Sequence, residues 1–200
     1  KKNSTTKFDE SIDINFQINN KQKKGEVNLR TMVNMPSGTG KKVKIAVICE
    51  ESMIDDAKKA GADLVGTDSL IEEISSGKIN FEKLICTPSM MIKLSKVGKI
   101  LGPKGLMPNP KLGTVSNNLK ETVSSVKSGQ VEIRNDKDGN IGLSIGKKSF
   151  KNENLIKNFE AVIEVLNKEK PSNVKGDLIK SAFITSSMGV SYKLKLNKSI

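Results

Sequence analysis

The chain has 200 residues, of which 34 are Lys or Arg and 22 are Asp or Glu, for a net charge of +12. It holds no histidine and two cysteines, which excludes Ser-His-Asp and Cys-His catalysis, every histidine-containing metal site and a four-cysteine zinc site. The surplus of cations attracts phosphate backbones or anionic membranes, but no run approaches the ~18 apolar residues of a membrane span.

No secretory signal is recognisable, so the expectation is a soluble cytoplasmic protein with no membrane partner. Only Arg30 and Arg134 are arginine; the other cations are lysines. Lysine is a point charge without the planar fork that reads guanine, which favours binding through backbone and shape. The abundance of Lys, Asn and Ile equally fits an AT-rich genome. Cys49 and Cys86 sit in apolar runs (IAVICEE and EKLICTP) and read as small core residues in a reducing compartment.

After the polar KKNSTT, Phe8, Ile12, Ile14, Phe16 and Ile18 alternate as in a strand with one buried face. A turn-like NNKQKKG leads to a second alternating run, Val27 to Met35, expected to pair with the first. At Pro36 the texture changes. PSGTGKK is a break, and from there short apolar runs alternate with helical segments. Val43 to Cys49, Asp63 to Val65 and Leu84 to Cys86 read as strands. Ser52 to Ala60, Asp68 to Ser76, Ser89 to Val97 and Ser116 to Lys127 read as helices. Within this stretch ILGPKGLMPNPKLGT, residues 100 to 114, crowds three prolines and three glycines together, which makes it a stiff, ordered loop.

Past Gly129 the first texture returns. Val131 to Arg134 and Ile141 to Ile145 read as strands, joined across NDKDGN as a hairpin. Asn152 to Lys168 has helical spacing, KPSNVKG breaks it, and Ser181 to Thr185 and Val190 to Leu196 flank the turn SSMG. The expected architecture is a discontinuous α+β domain of residues 1–36 and 130–200. A doubly wound, Rossmann-like α/β domain of residues 37–129 is inserted into it over a two-stranded hinge. The outer segments hold 20 basic and 12 acidic side chains, the insert 14 and 10, so the outer domain is the stronger electrostatic candidate.

The loop LGPKGLMPNPKLGT resembles, nearly letter for letter, the signature of the L-one family of large-subunit ribosomal proteins. The likeness continues through KFDESIDI, MPSGTGKKVKIAVI, AGADLVG, SGQVEIRNDKDG and SSMGVSYKL, in the family's order over almost the whole chain. It implies a non-enzymatic protein without cofactors, a monomer within the ribosome, with the split domain on the stalk region of the large-subunit rRNA. The inserted domain would help move and release exit-site tRNA, and the protein would repress its own operon mRNA. A bacterial and an organellar ribosome fit equally. Family members carry a helical segment ahead of the Lys-Phe strand, where only KKNSTT stands here.

Carried over by motif, the RNA-contact candidates are Lys7, Phe8, Ser11, Asp136, Lys137, Ser181, Ser187, Met188 and Gly189. Lysines meet phosphates, hydroxyls and an acidic acceptor select ribose 2′-OH groups, and Phe8 and Met188 supply apolar contact. Phe8 also reads as strand core, and SSMG as a plain hairpin. Lys99, Lys104 and Lys111 are candidates for tRNA or stalk contact, beside the alternative that their loop merely holds its domain together. SGTGKK suggests a phosphate-binding P-loop but lacks the leading glycine, and Lys42 stands where Ser or Thr would bind magnesium. Asp9, Glu10 and Asp13 read as solvated surface rather than a metal cluster. The rival class is a nucleotide- or phosphosugar-binding α/β enzyme, for which no general base or metal set is visible.

Overall fold

The computed structural model describes residues 6–19, 29–170 and 176–195. In chain order its strands are β1 (Ser11–Ile18), β2 (Arg30–Asn34), β3 (Ile45–Ile48), β4 (Leu64–Gly66), β5 (Lys83–Cys86), β6 (Gln130–Arg134), β7 (Asn140–Lys147), β8 (Ile179–Ser186) and β9 (Tyr192–Leu194). The helices are α1 (Ile54–Lys59), α2 (Asp68–Ser75), α3 (Pro88–Leu94), α4 (Gly98–Leu101), α5 (Leu119–Lys127) and α6 (Asn152–Lys168). The fold is a mixed α/β one, and the chain forms two compact units: Lys1–Lys41 with Ser128–Ile200, and Lys42–Lys127.

In the first unit an antiparallel sheet runs β7-β1-β8-β9, and β2 and β6 form a separate two-stranded ribbon. The alternation in β1 sends Ile12, Ile14, Phe16 and Ile18 into a core shared with Val33, Ile133, Val162, Ile163 and Leu166. Phe16 stacks on Phe159 of α6 with ring centroids 6.1 Å apart. Each such buried side chain contributes about 1.5–3 kcal/mol relative to exposure.

Two expected pairings are not formed. β1 does not pair with β2; its neighbours are β7 and β8, while β2 pairs with β6. Nor do β6 and β7 make a hairpin. The Asp-Gly turn is present, with Gly139 N–H donating to the Asp136 carbonyl at 3.2 Å and Asp136 N–H to that of Asn140 at 2.9 Å, but the strands diverge at once into different sheets. Local turn chemistry was satisfied, and burial of each strand's apolar face chose its partner. The residues 20–28 between the first two strands, 171–175 of KPSNVKG and the end of the last expected strand lie outside the described residues.

One buried polar side chain ties this unit together. Asn158 of α6 is fully buried. Its Oδ1 accepts from Ser37 N–H at 3.0 Å, and its Nδ2 donates to the carbonyls of Gly38 at 2.9 Å and Ile145 at 2.7 Å. Gly129 lies against Gly38 so closely that an added Cβ would fall 2.8 Å from its Cα. Thus the two stretches where the chain leaves and re-enters this unit meet, and α6 holds one of them.

The second unit is a parallel sheet in the order β4-β3-β5. All four residues of β3 are fully buried. Ala46 and Ile48 face a core formed with α2, α3 and α4, while Ile45 and Val47 face a core formed with α1 and α5. Cys49 and Cys86 are free and buried, and burial pushes the Cys86 thiol up to about 11. The SGTGKK segment precedes a strand instead of opening a helix, and Gly40 packs against Phe150, so it is no P-loop.

The proline-glycine loop is ordered by its own polar groups. Thr114 Oγ1 accepts from Asn109 N–H at 2.8 Å, and Asn109 Oδ1 accepts from Lys111 N–H at 2.9 Å. Gly105 and Gly113 adopt φ of 69° and 65°, a region that favours glycine. At the loop's end Val115 bridges in parallel to Cys86, while Leu101, Leu106 and Met107 join the core of α2, α3 and α4.

Candidate nucleic-acid interface

The alternation that buries the even-numbered residues of β1 turns Ser11, Asp13, Asn15 and Gln17 to the other side of the sheet. Antiparallel register adds neighbours to that side: Ser144 and Asn140 of β7, Ser181, Phe183 and Thr185 of β8, and Lys193 of β9. Asn15 and Asn140 are exposed, and Asp13, Gln17, Ser144, Phe183 and Thr185 partly so. The face is therefore a field of hydroxyl and amide groups, able to donate to and accept from ribose and base edges.

At the start of β1 this face meets the SSMG turn. Ser11 N–H donates to Ser187 Oγ at 3.1 Å, and Ser187 N–H returns a bond to the Ser11 carbonyl at 3.2 Å. Lys147 Nζ donates to Ser11 Oγ at 3.3 Å. The turn is closed by Gly189 N–H on the Ser186 carbonyl at 3.0 Å. A Cβ on Gly189 would collide with the Ser186 hydroxyl. Only that hydroxyl would have to turn away, since the nearest backbone atom would lie 3.8 Å off, and Gly189 is not among the glycines with positive φ.

Phe8, three residues before Ser11, is 55% exposed and Met188 is 74% exposed. Phe8 precedes β1 and belongs to no core, which corrects the strand-core alternative. Val190 and Tyr192, which follow the turn, are exposed as well, so these large apolar side chains are left largely uncovered by the described residues. Lys7, next to Phe8 in the chain, is exposed too.

Asp9, Glu10 and Asp13, read from the sequence as solvated surface rather than a metal cluster, differ in their surroundings. Asp9 caps Ser149, accepting from its N–H at 2.9 Å and its hydroxyl at 2.8 Å, and these bonds hold its carboxyl below the usual 3.8. Glu10 is buried, contrary to the surface expectation.

Asp136 and Lys137 lie at the opposite end of β1, since Gln17 pairs with Asn140 whereas Ser11 pairs with Lys147. Six residues of strand separate the ends by roughly 20 Å. The Asp136 carboxylate accepts from Asn140 N–H at 2.6 Å and from its side-chain amide at 3.0 Å, which holds it below its ordinary 3.8. Ser181 lies near that end, buried and donating to Gln17 Oε1 at 3.3 Å. The candidates therefore form two groups along one strand. Asn15, Gln17, Ser144 and Thr185 between them were missed, although the polar positions of the alternating run DINFQI pointed to the first two.

In the second unit Lys99 lies in α4, Lys104 in the loop and Lys111 in its 3₁₀ turn; all three are exposed. Among the described residues no group of three or more His, Cys, Asp or Glu side chains is arranged to hold a metal ion, and no helix is long and apolar enough to cross a membrane.

The sequence matches the ribosomal protein L1p/L10e family over residues 1–190. It is 69% identical to the large ribosomal subunit protein uL1 of Pelagibacter ubique over 201 aligned positions, covering 100% of this chain and 88% of that protein. It is 48% identical to the large ribosomal subunit protein uL1 of Rickettsia akari and 47% to that of Rickettsia bellii, covering 96% of this chain and 81% of each. With a family match along nearly its whole length, the chain belongs to the ribosomal protein L1p/L10e family.

Proposed function

We propose that this chain is a non-enzymatic structural component of the large ribosomal subunit, acting in the cytoplasm, which grips the stalk region of the large-subunit rRNA with its split unit, the discontinuous rRNA-binding domain. The inserted unit assists movement and release of exit-site tRNA, with Lys99, Lys104 and Lys111 as its cationic contacts. The same RNA surface represses translation by binding the protein's own operon mRNA. Large ribosomal subunit proteins from three bacteria support the first part, at 47–69% identity.

The observation that carries the reading is the hydrogen bond from Ser11 N–H to Ser187 at the start of β1, beside a polar sheet face, with Lys7, Phe8 and Met188, each within four residues of that bond along the chain, exposed. Hydroxyls select 2′-OH groups, exposed apolar side chains meet ribose or base faces, and lysines neutralise phosphates. Asp136 and Lys137 extend the contact to the far end of the strand, and Ser181 supplies a hydroxyl near that end.

Competition binding tests this. A stalk rRNA fragment should displace labelled stalk RNA from the protein far better than a scrambled RNA of equal length, and the operon leader should compete more weakly. Equal competition by the scrambled RNA would reduce the protein to a nonspecific polycation.

A further inference from the structure

The chain has two arginines among 34 cations, and the fold sets them directly opposite each other. Arg30 opens β2, Arg134 closes β6, and they are partners in the register of the ribbon. Both are exposed. Cross-strand partners have Cβ atoms about 4.5–5.5 Å apart, and like charges placed so are destabilising.

The ribbon has one carboxylate to offset this. Glu132 engages Arg30 through Nε at 2.7 Å, which orients the guanidinium and, among the described residues, leaves both its terminal nitrogens uncommitted. Arg134 has no hydrogen-bond or ion-pair partner among the described residues. The pair sits beside a turn that is held firmly, with Asn135 Oδ1 accepting from Leu29 N–H at 2.5 Å and Asn135 N–H donating to the Leu29 carbonyl at 3.2 Å. Asp136 and Lys137 follow directly.

We propose that Arg30 and Arg134 form a phosphate clamp for an RNA backbone, extending the polar sheet face beyond the Asp136 end of β1. A guanidinium presents parallel N–H donors that match two phosphate oxygens, which a lysine cannot do. Two of them on adjacent strands can hold one phosphodiester from both sides or span successive ones. The local repulsion between them is relieved when the anion arrives. The clamp rests on the RNA-binding reading, since it supplies phosphate contacts for the same ligand.

The test is equilibrium binding of the full chain to a stalk rRNA fragment across a salt series, combined with thermal unfolding. Losing two phosphate contacts should lower the salt slope by about 1.4–1.8 and the affinity roughly 20-fold near 0.15 M salt. We therefore expect that drop for the double variant Arg30→Ala, Arg134→Ala. Arg30→Lys with Arg134→Lys should keep the slope but lose affinity. Lys157→Ala with Lys168→Ala, which removes equal charge from α6, should change neither. Arg134→Ala alone should bind more weakly while unfolding at an unchanged or higher temperature, because a repulsion is removed; a purely structural arginine would lower it. Unchanged slope and affinity in the double alanine variant, while a Gly189→Val variant loses binding, would overturn the clamp and leave the RNA face standing. Wild-type protein that fails to bind the fragment would overturn both.

Discussion

The two units answer the problem of covering a sheet in opposite ways. In the second, the strands are parallel and β3 is buried on both faces, Ala46 and Ile48 to one core and Ile45 and Val47 to the other. Such a sheet has no free face, so any ligand must be met by loops and helix surfaces. In the first, helix α6 covers one side of an antiparallel sheet, and the opposite side keeps Asn15, Asn140, Ser144 and Lys193 at least partly accessible. Antiparallel strands tolerate a solvated face, and that tolerance makes a broad binding surface possible.

The largest effect should come from placing a charge in each sheet. Val47→Asp puts an unpaired carboxylate into a fully buried site and should cost at least ~4 kcal/mol, unfolding the second unit. Asn15→Asp on the open face of β1 should stay within about 0.5 kcal/mol of the parent. Calorimetric scans of both variants measure this, and similar losses would erase the distinction between the sheets.

Next in size is Asn158→Leu, which strands Ser37 N–H and the carbonyls of Gly38 and Ile145. With buried groups left unsatisfied at ~1–3 kcal/mol each, a loss of about 3 kcal/mol or more is expected from denaturant midpoints. A neutral result would mean that water replaces the amide.

Gly189→Val should weaken stalk RNA binding by on the order of 1–3 kcal/mol with little change in unfolding temperature, because the new side chain turns the Ser186 hydroxyl aside and adds bulk to the surface the turn presents. Unaltered affinity, read by filter binding, would take the SSMG turn out of the interface. Lys7→Ala should reduce the salt slope by about 0.7–0.9; an identical slope would mean that Lys7 touches no phosphate.

The smallest effect separates the two ends of β1 by pH. The Asp136 carboxyl is held below 3.8 in the folded chain, chiefly by Asn140 N–H. A depressed folded pKa gives stability that is present above 3.8 and is lost as pH falls through the lower folded value. Asp136→Asn should therefore remove part of the acid sensitivity below about pH 4. The Ser149-bound Asp9 at the other end should keep its own share, its carboxyl being held down first by the Ser149 hydroxyl. Urea midpoints at pH 5 and pH 3 compare them, and an unchanged difference for Asp136→Asn would contradict the assigned hydrogen bonds.

Much was legible locally. The alternation of Ile12, Ile14, Phe16 and Ile18 marked a half-buried strand, and the unbroken run IAVIC marked one buried on both sides, because side chains alternate across a strand whatever its partners are. The signature loop was readable as rigid from its prolines and glycines. Its hold on the sheet through Val115 and Cys86 was not, since that depends on a strand nearly 30 positions earlier.

Pairing was the part that residue patterns misjudged. An Asp-Gly turn invited a β6–β7 hairpin and adjacency invited β1 beside β2, yet β1 took β7 and β8, and β2 took β6. Local pattern says which face of a strand seeks burial; only the assembled core decides which strands share it, because that choice maximises apolar burial over the whole unit. The same long-range choice brought Ser11 to Ser187 and Arg30 to Arg134. Residue types and their spacing thus defined the elements and the chemistry available, while the tertiary fold alone decided which of those groups act together.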